Sequence, residues 1–153
     1  MKRETAPKLP KVERLASSLA DIFVQRRDCY ARQFDDGSYV CIHKPLHQEL
    51  LISHLNGDLT LGAYVLDQHN RARFAVLDAD DDEQWRRLIC ISEKMSAEGI
   101  PSYLESSRRG GHLWLFFEHP IPGREARKFG KNLLVNNNAI GIELFPKQDR
   151  LSQ

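Results

Sequence analysis

Nothing in this sequence approaches the run of about 20 apolar residues that a membrane-spanning helix needs. Its first ten residues, MKRETAPKLP, are polar and have no apolar centre, so neither a signal peptide nor a membrane anchor is expected there. An excess of charge of one sign is missing too. The 22 Lys and Arg stand against 21 Asp and Glu, a formal net charge of +1, so any pull on nucleic acid has to come from a local patch. Cysteine is scarce and odd in number. Cys29, Cys41 and Cys90, without an export signal, point to reduced thiols and a cytoplasmic protein rather than a disulfide framework. No two of them are two to four residues apart, which speaks against a zinc knuckle built from Cys29, Cys41, His43 and His47. Small buried thiols and solvent-facing histidines are the expectation there, and for His54 and His69 as well. A calcium loop at DADDDE is excluded because its sixth and twelfth places hold Glu83 and Ile89, where glycine and glutamate are required.

What is present is enough for a compact fold: 153 residues, 41% of them hydrophobic. The stretch that organises the rest is RFAVLDADDD, Arg73 to Asp82. Phe74, Val76 and Leu77 read as a buried strand that ends in carboxylates. Asp78 and Asp80 are two residues apart, which on a strand puts both on one face. Two carboxylates that close repel each other, and a hard cation such as Mg²⁺ or Mn²⁺ relieves the repulsion. The competing reading is that Asp81 or Asp82 caps a helix while the other acids face water.

Hydrophobic spacing predicts a helix from Pro10 to about Arg26 and Arg27, then a hairpin around Asp35-Asp36-Gly37. A short helix opening at Pro45 and a strand from Thr60 to Leu66 complete an αββαβ unit over residues 10–70, preceded by a loose leader over 1–9. The second half reads as a strand to Asp78, a helix over about 82–98, strands over 101–105 and 112–117, a helix after Pro120 and Pro122, and a strand from Ile140 to Phe145. The expected fold class is α+β. It is a βαββαβ unit of ferredoxin- or RRM-like type over about 71–146, joined to the N-terminal unit in one domain spanning 10–153.

That order implies a sheet in which the first strand lies between the third and the fourth. The end of the first strand then sits beside the starts of the other two. Asp78, Asp80, His112 and Glu143 are thereby expected on one edge of one sheet. The turn Ser107-Arg108-Arg109-Gly110-Gly111 would add backbone N–H groups and guanidinium forks suited to phosphate, and Lys147 a further positive charge. His112 suits a hydrogen bond to a triphosphate oxygen. Nucleotide-dependent phosphoryl transfer uses all of these together.

The same residues carry a resemblance. AVLDAD resembles motif I of the archaeo-eukaryotic primase superfamily, SRRGGH its motif II and IEL its motif III. The longer strings LESSRRGGHLWLFFEHPIPGREARKFGKNLL, IELFPKQD and HLNGDLTLGAYVLD are most similar to the primase domain of the TOTE conflict systems, over about Tyr30 to Gln153. The resemblance implies a primase-like fold and a primase or primase-polymerase acting on nucleoside triphosphates and a DNA or RNA template. It further implies Mg²⁺ or Mn²⁺ held by Asp78, Asp80 and Glu143, with His112 on the nucleotide phosphates. Helicase or nuclease domains of the same system are the implied partners, and no membrane is. Motif II more often has glycine directly after its serine, where this chain has Arg108. Relatives also continue past motif III with further strands and a basic segment. The alternatives are therefore a partial or inactive primase domain, or a non-catalytic RRM-like nucleic-acid-binding module.

Overall fold

The computed structural model of the chain describes residues 10–151, so the expected leader over 1–9 lies outside the described residues. Contacts divide the chain into two compact units, one up to Tyr64 and one from Val65 onward. Among the described residues there are four helices and two antiparallel sheets, an α+β architecture.

The first unit contains α1 (Lys11–Phe23), β1 (Tyr30–Gln33), β2 (Tyr39–Ile42), α2 (Gln48–Leu55) and β3 (Thr60–Gly62). Its three strands lie in the order β2-β1-β3. The expected hairpin is there, with Gly37 at φ +82 in the tip and the Asp36 carboxylate accepting from both the backbone and the hydroxyl of Ser38. Ala16 and Ala20 of α1 pack with Tyr30, Leu46 and Leu51 in one small core. The helix stops at Phe23, short of Arg26, because Val24 is already extended.

The strand expected from Thr60 to Leu66 stops at Gly62. Leu66 instead bridges Ala72, and the Asp67 carboxylate accepts from the amides of His69 and Arg71. Those bonds tie residues 66–70 to the second unit, which moves the boundary upstream of residue 70.

The second unit runs β4 (Arg71–Ala79), α3 (Asp82–Ala97), β5 (Tyr103–Ser106), β6 (Gly111–Pro122), α4 (Gly123–Asn136) and β7 (Glu143–Phe145). The strand order is β5-β6-β4-β7, all neighbours antiparallel, so β4 lies between β6 and β7. Period two divides the residues of β4 and β6 between the two faces. Ala75, Leu77, Ala79, Leu113 and Leu115 pack against Leu88, Ile91 and Met95 of α3 and Leu134 of α4. Leu77, Leu88 and Leu113 are fully buried, each contributing about 1.5–3 kcal/mol by removal from water. The opposite face carries Phe74, Trp114 and Phe116 in ring contact, and beyond them Asp78 and His112.

Two boundaries differ from expectation. Pro120 and Pro122 do not break the chain before α4; β6 continues through them. β5 pairs only with Gly111 to Trp114, so the missing proline N–H costs no bond to β5. The final strand is shorter than Ile140 to Phe145. Asn138 at φ 51 and Gly141 at φ +106 put residues 138–141 in a turn, and the Ile142 amide donates to the Ala139 carbonyl.

Candidate active site

Sheet register builds the site. Asp78, on the last turn of pleat of β4, stands opposite His112 on β6 and opposite Glu143 on β7. On the far side of β6, His112 stands opposite Glu105 of β5. Glu105, His112, Asp78 and Glu143 therefore form one row across four strands. In an antiparallel pair, opposed residues share a face with Cβ atoms about 4.5–5.5 Å apart.

The side chains use that proximity. His112 Nε2 lies 3.4 Å from Asp78 Oδ1, and its Nδ1 lies 3.0 Å from Glu105 Oε2. Lys147 Nζ donates to Glu143 Oε1 at 3.0 Å. Arg109 donates to Asp80 Oδ1 at 3.3 Å. Burial pushes the Asp78 carboxyl above the ordinary carboxylate range; the His112 ring pulls it back, Asp80 and Glu143 add to the rise, and Lys147 opposes it. Three carboxylates thus share one strand end, with Arg109 and Lys147 paired to the outer two.

The other acids of the cluster have separate work. Asp81 is the N-cap of α3 and accepts from the Gln84 amide at 2.8 Å, while Gln84 Oε1 accepts from the Asp80 amide at 2.9 Å. Helix capping therefore accounts for Asp81 and leaves Asp78 and Asp80 free of that role.

The glycine turn is placed beside the acids, though its glycines serve packing. The Ser107 amide donates to the Gly110 carbonyl, and the Gly110 amide donates to Ser107 Oγ. The Gly110 N–H is already used within the turn. A Cβ on Gly110 would overlap the Ala79 carbonyl, and one on Gly111 would overlap the Glu105 carbonyl and the Trp85 ring. Absence of side chains there lets the turn press against the end of β4. Arg108 and Arg109 remain exposed at its tip.

Asp78, His112, Glu143 and Lys147 are thus brought together, with Asp80 and Arg109 at their flank. Among the described residues no three His, Cys, Asp or Glu side chains form, as they stand, a group that could hold a metal ion. The donor chemistry nevertheless suits a hard divalent cation, since burial first and the neighbouring Asp80 and Glu143 second disfavour the ionised Asp78, and such an ion offsets both. Glu105 is the site residue that motif reading passes over. Its signal lay in the hairpin: Ser106 pairs with Gly111, which sets residue 105 opposite His112.

An α+β chain of two antiparallel sheets and four helices is compatible with the class of primase-like folds. Residues 40–153 match the family described as the TOTE conflict system, Archaeo-Eukaryotic Primase domain, and the chain belongs to that family. The match begins within β2, so it takes in part of the first unit and all of the second. Comparison with curated proteins gives no match.

Proposed function

We propose that this chain carries out template-dependent nucleotidyl transfer of the primase-polymerase type, joining nucleoside triphosphates along a DNA or RNA template. The single observation that carries the reading is the row Glu143–Asp78–His112, with Asp78 raised by burial and by the acids beside it. Asp78, Asp80 and Glu143 are the residues that would hold Mg²⁺ or Mn²⁺. A cation bound there would supply activation of the attacking 3′-hydroxyl and offset charge on the α-phosphate.

The chain's own side chains supply the rest. Arg109 and Lys147 now neutralise Asp80 and Glu143. If those carboxylates held a metal, the guanidinium and the ammonium would be available to triphosphate oxygens. His112 faces the same edge through Nε2, which donates to a phosphate oxygen when both ring nitrogens carry hydrogen. The open face of β6 carries Trp114 and Phe116, aromatics that suit base stacking in the RRM-type alternative as well as in a template-reading enzyme, so the acids at the strand end are what separate the two. A nucleic-acid-binding module without chemistry would have no use for the crowded acids.

Primer extension with labelled nucleotides tests the reading, run on primed and unprimed templates with Mg²⁺ and with Mn²⁺. Wild-type protein is expected to incorporate nucleotides, and Asp78→Ala to incorporate none while keeping its fold. Incorporation by Asp78→Ala at the wild-type rate would remove Asp78 from the mechanism. No incorporation by wild type under any of these conditions would leave the inactive-domain alternative standing.

A further inference from the structure

We propose that Glu105 is a positioning residue: its Oε2 fixes His112 through Nδ1 and so presents Nε2 to the carboxylate edge. Glu105 lies outside all three motifs, on the neighbouring strand β5. Its side chain reaches across to β6 and meets two groups with one oxygen. Trp114 Nε1 lies 2.8 Å from Oε2, and His112 Nδ1 lies 3.0 Å from the same atom.

The indole N–H can only donate, so Oε2 is an acceptor in that contact. An ionised carboxylate oxygen that accepts from the indole also accepts from the imidazole, which assigns the hydrogen to Nδ1. The nitrogen that a histidine leaves for its functional partner is set by the bond the other nitrogen makes. Nε2 faces a carboxylate too, but at 3.4 Å from Asp78 Oδ1 against 3.0 Å for Nδ1 to Glu105, so a ring with one hydrogen keeps it on Nδ1.

Three features make this an anchor rather than a passing surface contact. Register sets Glu105 directly opposite His112, so the pair meets without an extended side-chain search. Trp114, two residues along β6, pins the carboxylate and restricts the rotamers it would otherwise explore. The Trp114 and His112 rings are themselves in edge contact, with centroids 6.0 Å apart. A ring held at Nδ1 by an oxygen that is itself held must give up that bond to rotate away, because the carboxylate can follow it only by leaving Trp114.

The Glu105 side chain is 57% exposed, so removing it opens no cavity and the fold should survive; an unchanged melting temperature checks this. The ring itself is read by NMR on protein labelled with ¹⁵N-histidine, with His112→Gln identifying the signal. At alkaline pH the wild-type ring is expected in the Nδ1–H form, whereas an unconstrained imidazole favours Nε2–H. Glu105→Ala should release it to Nε2–H. Glu105→Gln keeps a side-chain oxygen that accepts, and should restore Nδ1–H. A wild-type ring in the Nε2–H form, or a ring unmoved in Glu105→Ala, overturns the assignment.

A second arm rests on the nucleotidyl-transfer reading. In primer extension, Glu105→Ala should raise the apparent KM for nucleoside triphosphate by on the order of 10-fold and move kcat less, with Glu105→Gln recovering most of the loss. A fall in kcat at unchanged KM would overturn the positioning role. The two failures stay distinguishable. A wild-type protein without activity counts against the reaction, while the NMR signature and equilibrium binding of a fluorescent nucleoside triphosphate still decide what Glu105 does to His112.

Discussion

Asp78 is the residue at which burial, like charge and opposite charge meet, and its protonation has a sign that can be worked out. Its folded-state pKa lies above the unfolded value of about 3.9. The fold therefore favours the protonated form. That contribution is fully present below about pH 4 and is lost as pH rises through the raised folded value. At neutral pH the ionised carboxylate is a net cost that asparagine does not carry. Asp78→Asn is accordingly expected to melt above wild type at neutral pH without divalent metal, and to lose the advantage below about pH 4. Saturating Mg²⁺ or Mn²⁺ should invert the order by stabilising wild type alone, by about 2.7 kcal/mol at a hundredfold excess over Kd. Thermal melts across pH, with and without metal, check both halves; an Asn variant that melts below wild type in metal-free neutral buffer contradicts the first.

At the scale of the element, the junction of β4 and α3 separates acids that look alike in sequence. Asp78 and Asp80 leave the strand toward the site, while Asp81 turns back onto the first turn of α3. The difference is one of backbone: Asp81 is extended at φ -147 and ψ 170, which aims its carboxylate at the Gln84 amide. Asp81→Ala should cost about 1 kcal/mol of stability through the lost cap and leave nucleotide incorporation in place once the protein is folded. Denaturant unfolding and primer extension, measured on the same preparation, check the pair of outcomes. An Asp81→Ala protein of wild-type stability that no longer incorporates nucleotides would move Asp81 into the site. The turn before β6 holds a similar lesson. Gly110 and Gly111 are followed by His112 in the chain, which invites a phosphate-cradle reading, yet their lack of side chains is spent on close packing against Ala79 and Trp85.

Across the whole molecule, the buried clusters keep to their own units. One draws on residues 16–61, and the other two draw only on residues from 65 onward. The second unit, with its own four-stranded sheet and two helices, is therefore expected to fold when residues 65–151 are expressed alone. A single cooperative thermal transition would show it, and a fragment without one would mean that its core needs the first unit. No described helix is long and apolar enough to cross a membrane. The formal charge of +1 leaves Arg108, Arg109 and Lys147 as the local positive group nearest the acids, with two of the three already paired.

Periodicity and composition were enough to place most helices and strands of the second unit. The α+β class and the acids that end β4 follow from the short apolar run through Phe74, Val76 and Leu77 and from the caps around α3. Hydrophobic pattern could not show that Ile140 lies in a turn, because its apolar side chain is 78% exposed and only the left-handed Asn138 and Gly141 mark the bend. Nor could it show that β6 runs on through two prolines, which depends on how short its neighbour β5 is. Motif spacing told which residues share a chemistry. Strand pairing decided which of them stand together: Glu105 opposite His112, His112 opposite Asp78, and Asp78 opposite Glu143. Local sequence determines backbone preference and which face a residue takes, since both are set within a few positions along the chain. Which residue stands opposite another is settled only when separate strands close on each other, and that closure is what turned a row of scattered acids and a histidine into a site.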